Sequence, residues 1–133
     1  MLRQYPKEVK LVYKEFPLRS HRFSAMASLA AIAAGRQGKY WQMHDKIFAS
    51  YSSLTEKKLK AFAMELGLNM SQFERDRNTL SAKQRVKRDI QDGLAAGVHG
   101  TPTIFVNGRL LRQRSLSGFT QMIGRELEKA ADR

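Results

Sequence analysis

At Gly97 the hydrophobic pattern of this chain changes period, and that change restricts the fold more than any other feature. Upstream, from about Phe23 to Ala96, apolar residues recur at helical spacing. Downstream, Thr103-Ile104-Phe105-Val106 is a short continuous apolar run, Asn107-Gly108 is a strong signal for a two-residue hairpin, and Arg109-Leu110-Leu111 resumes an extended pattern. Two antiparallel strands are therefore expected after a series of helices, which places the chain in the α/β class.

The helical part divides at its caps and stops. Phe23 to Ala34 is rich in alanine, leucine and methionine, with Gly35 placed to close a buried helix in a left-handed conformation. Lys39 to Ser50 sets Tyr40, Met43 and Ile47 on one stripe and Trp41, His44 and Phe48 beside it, which predicts an inward-packing helix. Thr55 is an N-cap for a helix whose Leu59, Phe62, Ala63 and Leu66 share a face and which Gly67 ends. Ser71-Gln72-Phe73-Glu74 has the form of a capping box, and Ser81 is expected to open the next helix, along which Ala82, Val86, Ile90 and Leu94 align before Gly97. Ser117 or a neighbour begins a last helix through Phe119, Ile123, Leu127 and Ala130. Ahead of all these, Val9 to Phe16, between Pro6 and Pro17, reads as a strand.

With 133 residues, one domain with one core is the expectation, the helices from about residue 20 to 96 forming a lobe within it. No apolar stretch approaches the roughly 20 residues that cross a bilayer. The chain contains no cysteine and three histidines, His21, His44 and His99. Disulfides, thiolate nucleophiles and cysteine-ligated metals are excluded, the histidines are too dispersed for a ligand motif, and neither metal nor cofactor is expected. The formal charge is +12, with the densest groups at Lys57-Lys58-x-Lys60 and Lys83-x-Arg85-x-Lys87-Arg88. Their spread over several helices reads first as a solvated basic surface, with a nucleic-acid site, an anionic membrane surface or an acidic partner as rivals.

The phrase Gly97-Val98-His99-Gly100-Thr101-Pro102-Thr103-Ile104-Phe105-Val106-Asn107-Gly108 resembles the proline loop and hairpin of DsbA-like disulfide oxidoreductases. Other segments agree in order: Tyr5-Pro6, then Lys14-Glu15-Phe16-Pro17-Leu18, then the alanine helix, then Gly38-Lys39-Tyr40-Trp41-Gln42-Met43-His44-Asp45. The resemblance covers nearly the whole chain. It implies a thioredoxin-like fold with a helical insertion after its second strand, and a cis bond between Thr101 and Pro102. It also implies a substrate-binding loop of His99, Gly100, Thr101 and Pro102, in which the backbone before the proline pairs with an extended peptide. Tyr40 and Trp41 are expected in the core and His44 as a satisfied structural histidine. An extracytoplasmic or periplasmic location, and unfolded proteins or extended peptides as partners, are implied by the resemblance alone.

The departure from the family pattern is the Cys-x-x-Cys segment. The family's first, central strand and the start of its redox-active helix belong ahead of Tyr5, where only Met1 to Gln4 stand, so the expectation is an N-terminally truncated domain with no catalytic residue. Without a central strand, Val9 to Phe16 and Thr103 to Val106 would each present unpaired backbone groups, which cost about 1–3 kcal/mol apiece if buried. Direct pairing of the two, or a homodimer, would close that gap. The functional expectation is thus a member of a disulfide-forming family that is redox-inactive as given. The alternatives are a non-catalytic peptide-binding or dimerisation module and, ranked lower, a basic nucleic-acid-binding helical protein.

Overall fold

The computed structural model describes residues 1–133 as six α-helices and one hairpin. These are α1 (Ser24–Arg36), α2 (Tyr40–Ala49), α3 (Glu56–Glu65), α4 (Met70–Arg77), α5 (Leu80–Ala95), β1 (Phe105–Val106), β2 (Arg109–Leu110) and α6 (Leu116–Ala131). A short 3-10 turn at Tyr51–Ser53 follows α2. The contacts divide the chain into two compact units, Lys14–Gly97 and Met1–Tyr13 with Val98–Arg133. No helix is long and apolar enough to cross a membrane.

The helical unit is built around α1. Seven consecutive or near-consecutive residues from Ala27 to Ala34 are buried, and a helix that is apolar nearly all round belongs at the centre of its neighbours. Helices α2, α3, α4 and α5 all pack on it. Alanine makes this possible, since its small side chain lets four helices approach one axis. The main core joins Ala30, Ala31 and Ala34 to Met43, Ile47, Leu59, Ala63, Leu68 and Phe73, and a smaller cluster joins Ile32 to Ala82 and Val86. Arg77 is buried as well, its guanidinium shared between Glu56 of α3 and Glu74 of α4 and set over the Phe73 ring at 5.4 Å. A buried cation is tolerated here because two carboxylates meet it.

Caps fix where these helices begin. The Thr55 hydroxyl accepts from the Lys58 N–H at 3.1 Å, as its position predicts. The capping box at Ser71 does not form. Asn69, two residues earlier, accepts from the Gln72 N–H at 2.9 Å, so α4 starts at Met70. Nor does Ser81 open α5. Thr79 accepts from the Ala82 N–H, while the Ser81 hydroxyl receives Arg36 at 2.6 Å. Gly35 lies inside α1, where a Cβ would come within 3.2 Å of Tyr40, and the left-handed residue after the helix is Gly38 with φ +76°. In each case a polar side chain or close packing outside the local pattern claimed the position.

In the second unit Asn107 and Gly108 have φ of +48° and +78°, the two left-handed residues that a two-residue hairpin requires. Phe105 faces Leu110 and Val106 faces Arg109, and the Leu111 N–H adds one more bond to the Ile104 carbonyl at 2.8 Å. Val98, Leu111 and Ile123 are the buried apolar residues of this unit. The strand expected at Val9 to Phe16 is not formed: the sheet contains β1 and β2 alone, and this segment lies outside it. A strand exists only through hydrogen bonds to a neighbour, and the Glu15 N–H instead donates to the Asp89 carboxylate at 2.9 Å.

Candidate functional site

The candidate site is the loop between α5 and β1. Gly97, with φ +80°, ends the helical pattern, and Val98 is buried beyond it. His99, Thr101 and Pro102 are exposed, Gly100 is half-buried, and the Thr101–Pro102 peptide bond is cis. Two side chains hold the loop, one part-buried and one exposed. The Thr103 hydroxyl donates to the Gly100 carbonyl at 2.6 Å, and the Arg114 guanidinium donates to the Pro102 carbonyl at 2.6 Å. Between those anchored carbonyls, the Thr101 N–H and C=O make no hydrogen bond within the chain.

The segment that supplies Arg114 is itself fixed. Ser115 caps α6 by accepting from the Gly118 N–H, and the Gln113 side chain reaches the Ser117 hydroxyl. The hairpin is tied to α6 through Glu126, which accepts from Asn107 and pairs with Arg109 and Lys129. Those partners, Lys129 first, hold the Glu126 carboxyl below its ordinary range. Arg114 had no sequence signal. Its role comes from a contact twelve residues away from Pro102.

The helical unit holds a second polar constellation that sequence reading missed. Glu15 is buried, accepting from the Tyr40 hydroxyl at 2.6 Å and the Ser28 hydroxyl at 2.7 Å. Burial pushes its carboxyl above the ordinary value, against the opposing pull of those two hydrogen bonds, and the neighbouring Asp89 adds to the rise. Asp89 is buried too, paired with Lys14, whose ammonium also meets Asp92 at 2.9 Å. The available signal was a glutamate between the apolar positions of Val9 to Phe16.

Tyr40 is half-buried through this contact, but Trp41 is 42% exposed and is not part of the core. One residue along a helix turns 100°, so the face that carries Tyr40 inward carries Trp41 out. The Trp41 ring meets His44 at 5.2 Å and His44 meets Phe48 at 4.5 Å, while the His44 Nδ1 lies 3.1 Å from Asp45. No group of three or more histidine, aspartate or glutamate side chains converges on a point where a metal ion would be held.

A raised carboxyl pKa has a definite consequence for stability. Glu15 takes up a proton more readily in the folded unit than in the unfolded chain, so its stabilising contribution is complete below the ordinary value of 4.5 and is lost as pH rises through the raised value. Chemical denaturation at a series of pH values upward from the ordinary value of 4.5 is expected to show the Glu15 contribution to stability falling, and Glu15→Gln is expected to flatten that part of the slope. A slope unchanged in the variant would assign the dependence elsewhere.

A family model described as "DSBA-like thioredoxin domain" matches residues 1–123. Among curated proteins, the Na(+)/H(+) antiporter NhaA of Herminiimonas arsenicoxydans is 35% identical over 105 residues, a match covering 79% of this chain and 17% of that protein. NhaA 3 of Salinispora tropica is 35% identical over 102 residues, 76% of this chain and 16% of that protein. The chain thus spans about a sixth of the length of these relatives. Among solved structures, that of a thioredoxin-like oxidoreductase from Silicibacter pomeroyi DSS-3 superposes with a TM-score of 0.73 at 26% identity, covering 90% of this chain and 68% of the other.

Proposed function

The chain belongs to the family of DSBA-like thioredoxin domains and has their thioredoxin-like fold, and from this we propose that it binds extended peptides but performs no thiol-disulfide exchange by itself. Exchange begins with a thiolate attacking a disulfide sulfur. These 133 residues include no cysteine and so supply no nucleophile. Disulfide-bond formation is assigned to cysteine-bearing members of the family, and the part kept here is recognition.

The observation that carries this reading is the pair of unengaged main-chain groups on Thr101, exposed between two anchored carbonyls. A peptide laid alongside finds a donor and an acceptor at one residue, which is recognition by main-chain pairing with little demand on sequence. His99, Gly100 and Pro102 frame that residue. In this reading residues 1–133 are one domain, with about 20–96 as its helical insertion.

Titration of 15N-labelled protein with an unfolded, cysteine-free peptide should move amide resonances from Gly97 to Val106 and leave α3 and α4 unmoved. Arg114→Ala, which frees the Pro102 carbonyl, should weaken binding several-fold. Absent or scattered shifts would refute the binding role. Insulin reduction should proceed at the rate of the protein-free control, and a clearly faster rate would end the claim of inactivity.

A second copy of the chain is a further partner in this proposal. Leu11 and Val12 are 47% and 63% exposed on a segment outside the sheet, and apolar side chains so placed can be covered by a second copy. Sedimentation should give a dimer at micromolar concentration that Val12→Asp dissociates. A monodisperse monomer in the unmodified protein would rule this out.

A further inference from the structure

Helix α5 carries more positive charge on its outward side than the helical unit uses. Lys83, Arg85, Lys87 and Arg88 lie within six residues, all four are exposed, and none of them enters an ion pair. The acids of the same helix are already engaged. Asp89 is buried against the Glu15 N–H, and Asp92, though exposed, pairs with Lys14. Ala82 and Val86 face the core, so the opposite stripe runs Leu80, Gln84, Lys87, Gln91, Leu94, a spacing of four, three, four and three residues.

The two ends of that stripe are apolar and open: Leu80 is 70% exposed and Leu94 59%. At 1.5 Å per residue they stand about 21 Å apart, with Lys87 on the stripe between them and Lys83, Arg85 and Arg88 exposed beside it. We propose that this face of α5 docks on the surface of an anionic phospholipid bilayer. Cations spaced along a helix match a plane of negative headgroups, and leucines at either end dip into the boundary below those headgroups. The net charge of +12 draws the protein toward such a plane before contact. A nucleic acid fits the same face less well. Helix α5 contains no aromatic residue on which a base could stack, and exposed leucines gain nothing beside phosphates.

The test mixes the full chain with vesicles of phosphatidylcholine alone and with vesicles containing about 30 mol% phosphatidylserine, and reads the bound fraction by cosedimentation. Binding to the anionic vesicles and not to the neutral ones is expected. Lys83→Gln with Lys87→Gln should lower the affinity roughly tenfold or more. Lys7→Gln with Lys10→Gln makes the same change in net charge in the other unit and should leave affinity nearly unchanged. Leu80→Ser with Leu94→Ser should remove the binding that persists at high salt. Circular dichroism of each variant verifies that the exposed substitutions leave the helices intact. Equal losses in the two lysine pairs, equal binding to both vesicle types, or displacement from vesicles by a duplex oligonucleotide at lower concentration than lipid would each overturn the proposal.

Discussion

Gly118→Ala is expected to cost about 3 kcal/mol, an effect near the top of the range for overpacking. A Cβ at this position would overlap the Gln113 carbonyl oxygen and stand 3.0 Å from its carbon. Both are backbone atoms, so no side-chain rotation relieves the clash and the start of α6 must move away from Gln113. Gly124 is the control, because it lies in the same helix and a Cβ there meets nothing within 4 Å. Gly124→Ala should gain up to about 1 kcal/mol from helix propensity. Opposite signs for the two substitutions in a denaturant titration would establish that contact, not helix propensity, decides the outcome at Gly118.

The same variant reaches the candidate site. Gln113 precedes Arg114, whose guanidinium holds the Pro102 carbonyl. Shifting Gln113 releases that anchor, so Gly118→Ala should weaken peptide binding as Arg114→Ala does, from a residue that touches no part of the His99–Pro102 loop. Amide shifts in residues 99–103 of the free variant are the measurement.

Phe73→Ala is expected to cost about 3–5 kcal/mol, a large share of the roughly 5–15 kcal/mol that holds a domain of this size together. Phe73 is fully buried among the alanines of α1 and the side chains of α2 and α3. Alanine neighbours cannot extend into the space left behind, so the cavity stays open. The Arg77 guanidinium loses the ring beneath it as well. Phe73→Leu keeps much of the volume and should lose less than half as much. A urea transition of the helical unit shifted equally by both substitutions would contradict this account.

Much of the architecture was legible because its causes are local. Asn107-Gly108 forces a two-residue hairpin wherever it stands between apolar runs, Thr55 caps the residues just after it, and alanine from Ala27 to Ala34 fits only a crowded helix. The loop from Gly97 to Thr103 was legible as well, as a phrase. Where local signals competed, the pattern misled: Asn69 displaced Ser71, Thr79 displaced Ser81, and Gly35 serves contact with Tyr40 in place of a helix stop. Two adjacent capping candidates differ by fractions of the roughly 1 kcal/mol a cap is worth, which tertiary contacts such as Arg36 to Ser81 easily outweigh.

By itself the sequence determined the α/β class, the family, the proline loop and the absence of a thiol nucleophile, since each follows from neighbouring residues or from composition. Only the tertiary structure decided what Val9 to Phe16 becomes, what anchors Pro102 and where Glu15 finds its partners. A strand needs a neighbour, and the Arg114–Pro102 and Glu15–Asp89 contacts join residues 12 and 74 positions apart. Separations of that size leave no trace in a local pattern, because the fold alone brings the two ends together.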